Sequence, residues 1–204
     1  MVSEDGMRAP YKKHSGRRAG PVSSQRQILE AAREEFCASG FEGTTMRAIA
    51  QSAGVDAALI HHFFLSKGGL FTAAIQDVLT VPDLVAVVTD GRPETMGDRL
   101  AAAYVSHWED PEIRPRLVAL LRSATSFEGA TDTIREFLAD TLQPVAAAAG
   151  RGRADLRASL CGSFLLGIAA LRYVNRIEPT ASMAPQDLVR TVAGACQSYL
   201  YERL

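Results

Sequence analysis

The side chains with the most chemical potential between positions 40 and 70 are hydroxyls, cations and imidazoles: Thr44, Thr45, Arg47, His61, His62 and Lys67. Their types suit the holding of anions better than the breaking of bonds. Consecutive helix residues point well apart, so His61 and His62 are a poor metal pair, and no carboxylate lies at helical spacing to complete a site. The three cysteines, Cys37, Cys161 and Cys196, are odd in number and widely separated, and they sit in apolar helical patterns. That excludes a disulfide framework or zinc spacing. No G-x-S-x-G elbow, P-loop, H-E-x-x-H or dinucleotide fingerprint is present; Gly150-Arg151-Gly152 lacks a third glycine and a preceding strand. The reading is of a protein that is not an enzyme and needs no metal or cofactor.

Anion-holding side chains act only when helices present them. Thr44 and Thr45 are good N-caps, Met46, Ile49 and Ala50 share one apolar face, and Gly54 closes the segment as a short helix. Asp56 caps a second short helix, with Leu59, Ile60, Phe63 and Phe64 inward and Ala57, Ala58, His61 and His62 mainly outward. Two short helices around a glycine form a helix-turn-helix, whose second member fits a DNA major groove. Ahead of it, Ser23 or Ser24 caps a bracing helix to about Ser39, with Ile28, Leu29, Ala32 and Phe36 buried and Gly40 as its end. Behind it, Ser66 caps a fourth helix that buries Leu70, Phe71, Ala74, Ile75 and Val78 and ends near Thr80, ahead of Pro82.

Ile28 to Phe36, Gly40-Phe41, Gly43-Thr44-Thr45, Ile49-Ala50, Ala53-Gly54-Val55, Phe64, Ser66-Lys67 and Leu70-Phe71 together resemble the DNA-binding domain of TetR-family transcriptional regulators. The resemblance implies that Thr45, Arg47 and Lys67 meet backbone phosphates, with Thr44 beside them. It places Ala57, Ala58 and His61 nearest the groove floor and His62 toward a phosphate. Two departures stand out: Asp56-Ala57-Ala58-Leu59 replaces a Ser-Lys-Gly-Thr-like start of the recognition helix, and His61 replaces the usual tyrosine. Alanines offer only van der Waals contact, so hydrogen-bonded base readout from this helix is sparse. Arg47, the N-terminal arm or DNA shape must then carry specificity. The resemblance further implies a homodimer on a palindromic, double-stranded operator, with half-sites about 34 to 36 Å apart. A small molecule in the second domain would release it, repression being the family's common mode.

At 204 residues the chain has room for one large or two small domains, and its apolar content of 47% with only 7% aromatics suits packed helices. The fold class expected is all-α. A net charge of −1 conceals an uneven distribution: Arg8, Lys12, Lys13, Arg17, Arg18 and Arg26 occur with no acid between the first and the last. Such an arm, with Arg17 and Arg18 nearest the first helix, suits phosphates or a minor groove, and equally a solvated tail. It has too few bulky apolar residues for an amphipathic lipid anchor. The opening residues lack the apolar core of a secretory signal, and the run Leu160 to Leu171 is too short to span a bilayer. A cytoplasmic protein without membrane contact is expected.

The chain therefore divides into a basic flexible arm (1–22), a helix-turn-helix domain with its connecting helix (23–80) and a ligand-binding and dimerisation domain (81–204). Beyond Pro82, periodicity predicts a short helix to Thr89, then helices over 95–108, 112–126, 130–149, 155–176 and 185–203. Pro115 and Pro144 mark kinks or earlier starts within two of them. Tyr104, His107, Trp108, Phe127, Phe137, Cys161 and Phe164 are candidate walls and polar handles of an effector cavity, His107 and Trp108 foremost. An apolar or amphipathic occupant suits the lack of charged clamps. The last two helices carry stripes of small and apolar residues, Ala158, Gly162, Leu165, Leu166 and Ala169 on one and Leu188, Val192, Ala195, Cys196 and Tyr199 on the other. By the resemblance these stripes form an intersubunit four-helix bundle; they would serve as well to complete a monomer core.

Overall fold

Ser23 and Ser24 lie inside α1 (Pro21–Gly43) rather than ahead of it, so neither is its N-cap. The computed structural model describes residues 21–81, 83–124 and 129–202, and their regular elements are all helical. Gly40 breaks α1 with φ 70° and ψ 176°, a backbone that a Cβ disfavours. Ile28, Ala32 and Phe36 are fully buried on its inner face.

The short helices form where their caps place them. In α2 (Met46–Ala53) the Thr45 side chain accepts from Ala48 N, and Gly54 closes the helix in the left-handed region at φ 65°. In α3 (Ala57–Phe64) Asp56 accepts from Ala58 N, and Ile60 and Phe64 are buried. Ser66 accepts from Gly69 N to start α4 (Lys67–Leu79), which buries Leu70, Phe71, Ala74, Ile75 and Val78.

The chain continues through α5 (Leu84–Thr89), a single 3-10 turn, α6 (Met96–Glu109), α7 (Arg114–Ala124) and α8 (Ala130–Phe137). From α8 it passes through a π turn at Leu138–Leu142 into α9 (Gln143–Ala148), then α10 (Ala154–Ala169), extended by a second π turn at Ala170–Val174, and α11 (Pro185–Tyr201). Pro115 sits in the first turn of α7, where no N–H is needed. Pro144 follows the first π turn, in which Gln143 N bonds to Leu138 O. A prolyl nitrogen cannot join the regular ladder, and the widened turn accommodates it.

Two hydrophobic clusters result. One combines α1 to α4 with Trp108, Leu117, Ala169 and Tyr173; the other unites α5, α6, α9, α10 and α11. The first cluster therefore borrows side chains from beyond residue 81. Ion pairs hold the same seam: Arg33 joins Asp77 of α4 and Glu30, and Glu30 lies 3.2 Å from Arg116 of α7. Farther in, Glu109 Oε1 accepts from Arg172 at 2.8 and 3.1 Å and from the Tyr173 hydroxyl at 3.1 Å, while Arg114 reaches its Oε2 at 3.2 Å. Burial opposes the charge on Arg172, but its hydrogen bonds with Glu109 and Tyr173 outweigh that and raise its pKa.

By length and composition, Lys67–Thr89 and Ala154–Val174 are both apolar enough to cross a bilayer, contrary to the expectation from the shorter run. The first is interrupted between Leu79 and Leu84, and the second buries Ala158, Cys161, Leu165 and Ala169 in the core. Its two arginines, Arg157 and Arg172, are buried and hydrogen-bonded within the chain.

Candidate functional site

Ala58, His61 and His62 form an exposed strip on α3, with Ala57 half-buried beside them. His61 Nδ1 lies 3.2 Å from Leu65 O; that carbonyl can only accept, so Nδ1 donates there and Nε2 is the ring nitrogen left for an outside partner. This gives the strip one polar probe that a tyrosine hydroxyl would not duplicate. Leu65, not singled out from the sequence, is 83% exposed with φ 62° at the end of the same helix.

Thr45 and Arg47 are exposed at the start of α2, as phosphate contact requires. Thr44 is not: it is 2% exposed, and its hydroxyl donates toward Gly40 O at 2.7 Å and Glu35 O at 3.0 Å. It satisfies the orphan carbonyls where α1 breaks, which removes it from the nucleic-acid set. Lys67 is half-buried. Its Nζ donates to Thr44 O at 2.9 Å and sits 4.4 Å from the Phe41 ring centroid, so it braces the turn it was expected to present. Arg17 and Arg18 lie outside the described residues.

A cavity of about 190 Å³ opens between the helices. Ile75 and Leu79 of α4 form one wall and Leu117 and Leu121 of α7 another; Ile134, Phe137, Leu138 and Leu142 close a third side. From α6 come Tyr104, His107 and Trp108, and from α10 come Gly162, Ser163, Leu165, Leu166 and Ala169. No charged side chain lines it among the described residues. His107 Nε2 donates to Val78 O at 2.7 Å and so caps the last turn of α4 from the cavity wall. The Tyr104 hydroxyl donates to Leu165 O at 2.8 Å, and burial pushes its pKa well up. Trp108 stacks on Tyr173 at 4.8 Å.

Tyr104, His107, Trp108 and Phe137 thus line the cavity as expected, whereas Cys161 and Phe164 do not. The wall residues of α10 recur at 162, 165, 166 and 169, and Cys161 and Phe164 are rotated off that stripe toward α11. There Cys161 Sγ lies 3.7 Å from Cys196 Sγ, and Phe164 meets Tyr199 at 6.1 Å between ring centroids. Phe127 lies outside the described residues.

The expected dimer stripes need a similar correction. Ala158, Leu165, Ala169, Leu188, Val192 and Cys196 are all buried inside the single chain. A Cβ on Gly162 would lie 2.4 Å from Leu138 Cδ2, so that glycine serves contact with the π turn. Periodicity had found the core-facing stripe. Leu166 is exposed, and Ala195 and Tyr199 are partly so.

Residues 28–74 match the description of bacterial regulatory proteins of the tetR family, and residues 94–200 that of the tetracyclin repressor-like C-terminal domain. A TetR-family regulator from Streptomyces coelicolor A3 has the same fold with a TM-score of 0.69 and 33% identity, over 91% of this chain and 99% of that one. Native NalD, the secondary repressor of the MexAB-OprM multidrug efflux pump in Pseudomonas aeruginosa, shares the fold at TM-score 0.63 and 16% identity, over 90% of this chain and 99% of that one. The transcriptional repressor AcnR of Corynebacterium diphtheriae is 35% identical over 108 residues, 52% of this chain and 55% of that protein. The regulator BetI of Burkholderia ambifaria is 30% identical over 90 residues, 43% of this chain and 45% of that protein. The match spans about half the length of these curated relatives. A capped helix-turn-helix braced by α1 and α4, with matches over both its N-terminal and C-terminal regions, leaves one assignment: the chain belongs to the TetR family of bacterial regulatory proteins.

Proposed function

We propose that this chain is a cytoplasmic transcriptional repressor that binds a palindromic operator as a homodimer and is released by a small molecule, without cofactor or membrane. The observation that carries the reading is the continuity of α3, α4 and the cavity. The exposed strip of α3 leads through the Ser66 cap into α4, whose Ile75 and Leu79 line the cavity and whose Val78 carbonyl is held by His107. An occupant of the cavity therefore touches the helix that carries the recognition element, as coupling between two sites requires. We assign residues 23–80 to the DNA-binding unit, residues 1–22 with Arg17 and Arg18 to phosphate contact, and residues 81–204 to effector binding and dimerisation. For the dimer surface, α10 offers exposed Leu166, Gly167 and Leu171, and α11 offers Gly194, Ala195 and Tyr199. A Cβ on Gly167 or Gly194 would meet nothing in the chain, so a second helix can come close there.

Fluorescence polarisation of labelled duplexes from the region upstream of the gene, against scrambled duplexes of equal composition, tests the reading. A protected site bound on the order of a thousandfold more tightly than scrambled DNA is expected. Equal, weak binding to every duplex would reject it.

A further inference from the structure

The cavity's polar groups restrict what can occupy it. His107 Nε2 donates to Val78 O, so a neutral ring carries its proton there and leaves Nδ1 as an unprotonated acceptor with no partner among the described residues. Trp108 is 5% exposed and stacks on Tyr173, so it adds a flat apolar ring to the wall. Tyr104 is already committed to Leu165 O. With Ser163 likewise committed to Ser159 O at 2.8 Å, His107 Nδ1 stands as an acceptor in a mostly apolar lining. A hydroxyl can donate to it, which an ether oxygen cannot. An ammonium or carboxylate would lose its water without an opposite charge to meet it. Ile134, which lines the cavity and is 44% exposed, gives an apolar rim where a hydrocarbon body can enter.

We propose that the cavity takes an uncharged alcohol or phenol on a compact apolar body, its hydroxyl donating to His107 Nδ1. This rests on the reading of the cavity as the effector site. By scaling from an apolar cavity of about 150 Å³ that holds benzene, the enclosed part of the ligand has about eight non-hydrogen atoms. Further carbons would extend past the rim.

Trp108 is the chain's single tryptophan, so its fluorescence reports occupancy without DNA. The full-length protein is titrated with octanol, its isomer heptyl methyl ether, octanoate and octylamine. Octanol should give a saturable change in Trp108 emission and bind about fivefold to tenfold more tightly than the ether, the net contribution of one hydrogen bond. The two ionic probes should bind at least about a hundredfold more weakly. His107→Phe should bind alcohol and ether alike, while His107→Gln, which can donate to Val78 and still accept, should keep part of the preference. Should His107→Phe not fold, the four probes on the unaltered chain decide alone. Ether binding equal to alcohol, tighter ionic binding, or an unresponsive Trp108 would overturn the proposal. Operator release is measured separately on labelled duplex. Octanol held in the cavity with the operator still bound would uphold the ligand class and reject the cavity's role in release.

Discussion

Lys67 braces the fold with an ammonium that the proposed nucleic-acid face would also use. Two of its three N–H groups are accounted for by Thr44 O at 2.9 Å and Glu42 O at 3.5 Å, and the charge lies over Phe41, which leaves one N–H for a phosphate. Lys67→Ala should weaken operator and scrambled DNA by similar factors and flatten the dependence of log K on log salt by about one. It should also lower unfolding stability by about 1 kcal/mol, through the lost bond and ring contact. A salt series of polarisation titrations and a urea melt check both; an unchanged slope would leave Lys67 as a brace alone. Such double duty is hidden from a linear reading. Thr45, Asp56 and Ser66 were legible as caps because the groups they satisfy lie within three residues. Thr44 was misread because its acceptors lie across the break at Gly40, and the Glu109–Arg172 pair was invisible because 63 residues separate its members.

Among the helices, α6 and α11 come closest where Gly97 meets Ala193 and Gln197. A Cβ at position 97 would lie 2.4 Å from Ala193 O and 2.6 Å from Gln197 Cβ, so the backbones must separate to admit it. Gln197 clamps the same point, accepting from Gly97 N at 2.8 Å and donating to Pro93 O at 3.1 Å. Gly97→Ala should therefore cost about 1 to 3 kcal/mol by overpacking, although alanine is the better helix former. The urea midpoint of the variant measures it, and an unchanged or raised midpoint would contradict this account of the helix pair. The contact also explains why the helices were legible and their partners were not. Periodicity locates an apolar stripe on α11, as Leu188, Val192 and Cys196 do, but does not say whether α6 or a second subunit covers it. Here α6 covers it. The same limit applied to α10, where about 100° of rotation, a single residue, separates the cavity wall from the Cys161 side.

At the scale of the whole chain, the two clusters meet at Tyr104, Trp108 and Tyr173. Burial is the main cause of the raised pKa of both tyrosines, with Tyr173 also pushed up by the Glu109 carboxylate. An acid whose folded pKa exceeds its unfolded value contributes stability that is complete below the unfolded value, about 10 for tyrosine, and lost as pH rises toward the folded one. Stability should therefore hold to about pH 9 and fall above about pH 10, with a shallower fall in Tyr104→Phe. Urea midpoints across this range test it, and parallel profiles for the two proteins would exclude Tyr104 as a cause.

The π turn at Leu138–Leu142 supplies Leu138 and Leu142 to one side of the cavity, from backbone whose regular ladder is interrupted before Pro144. Leu138 also rests directly on the bare backbone of Gly162, so no side chain at 162 keys it in place. Of the surfaces around the void, this one is built on the wider π bonding, whereas the α6 side is regular α-helix, and the enclosure is hence asymmetric. Under the effector reading proposed above, a guest somewhat too large for the void would be accommodated by displacing that turn before any other wall.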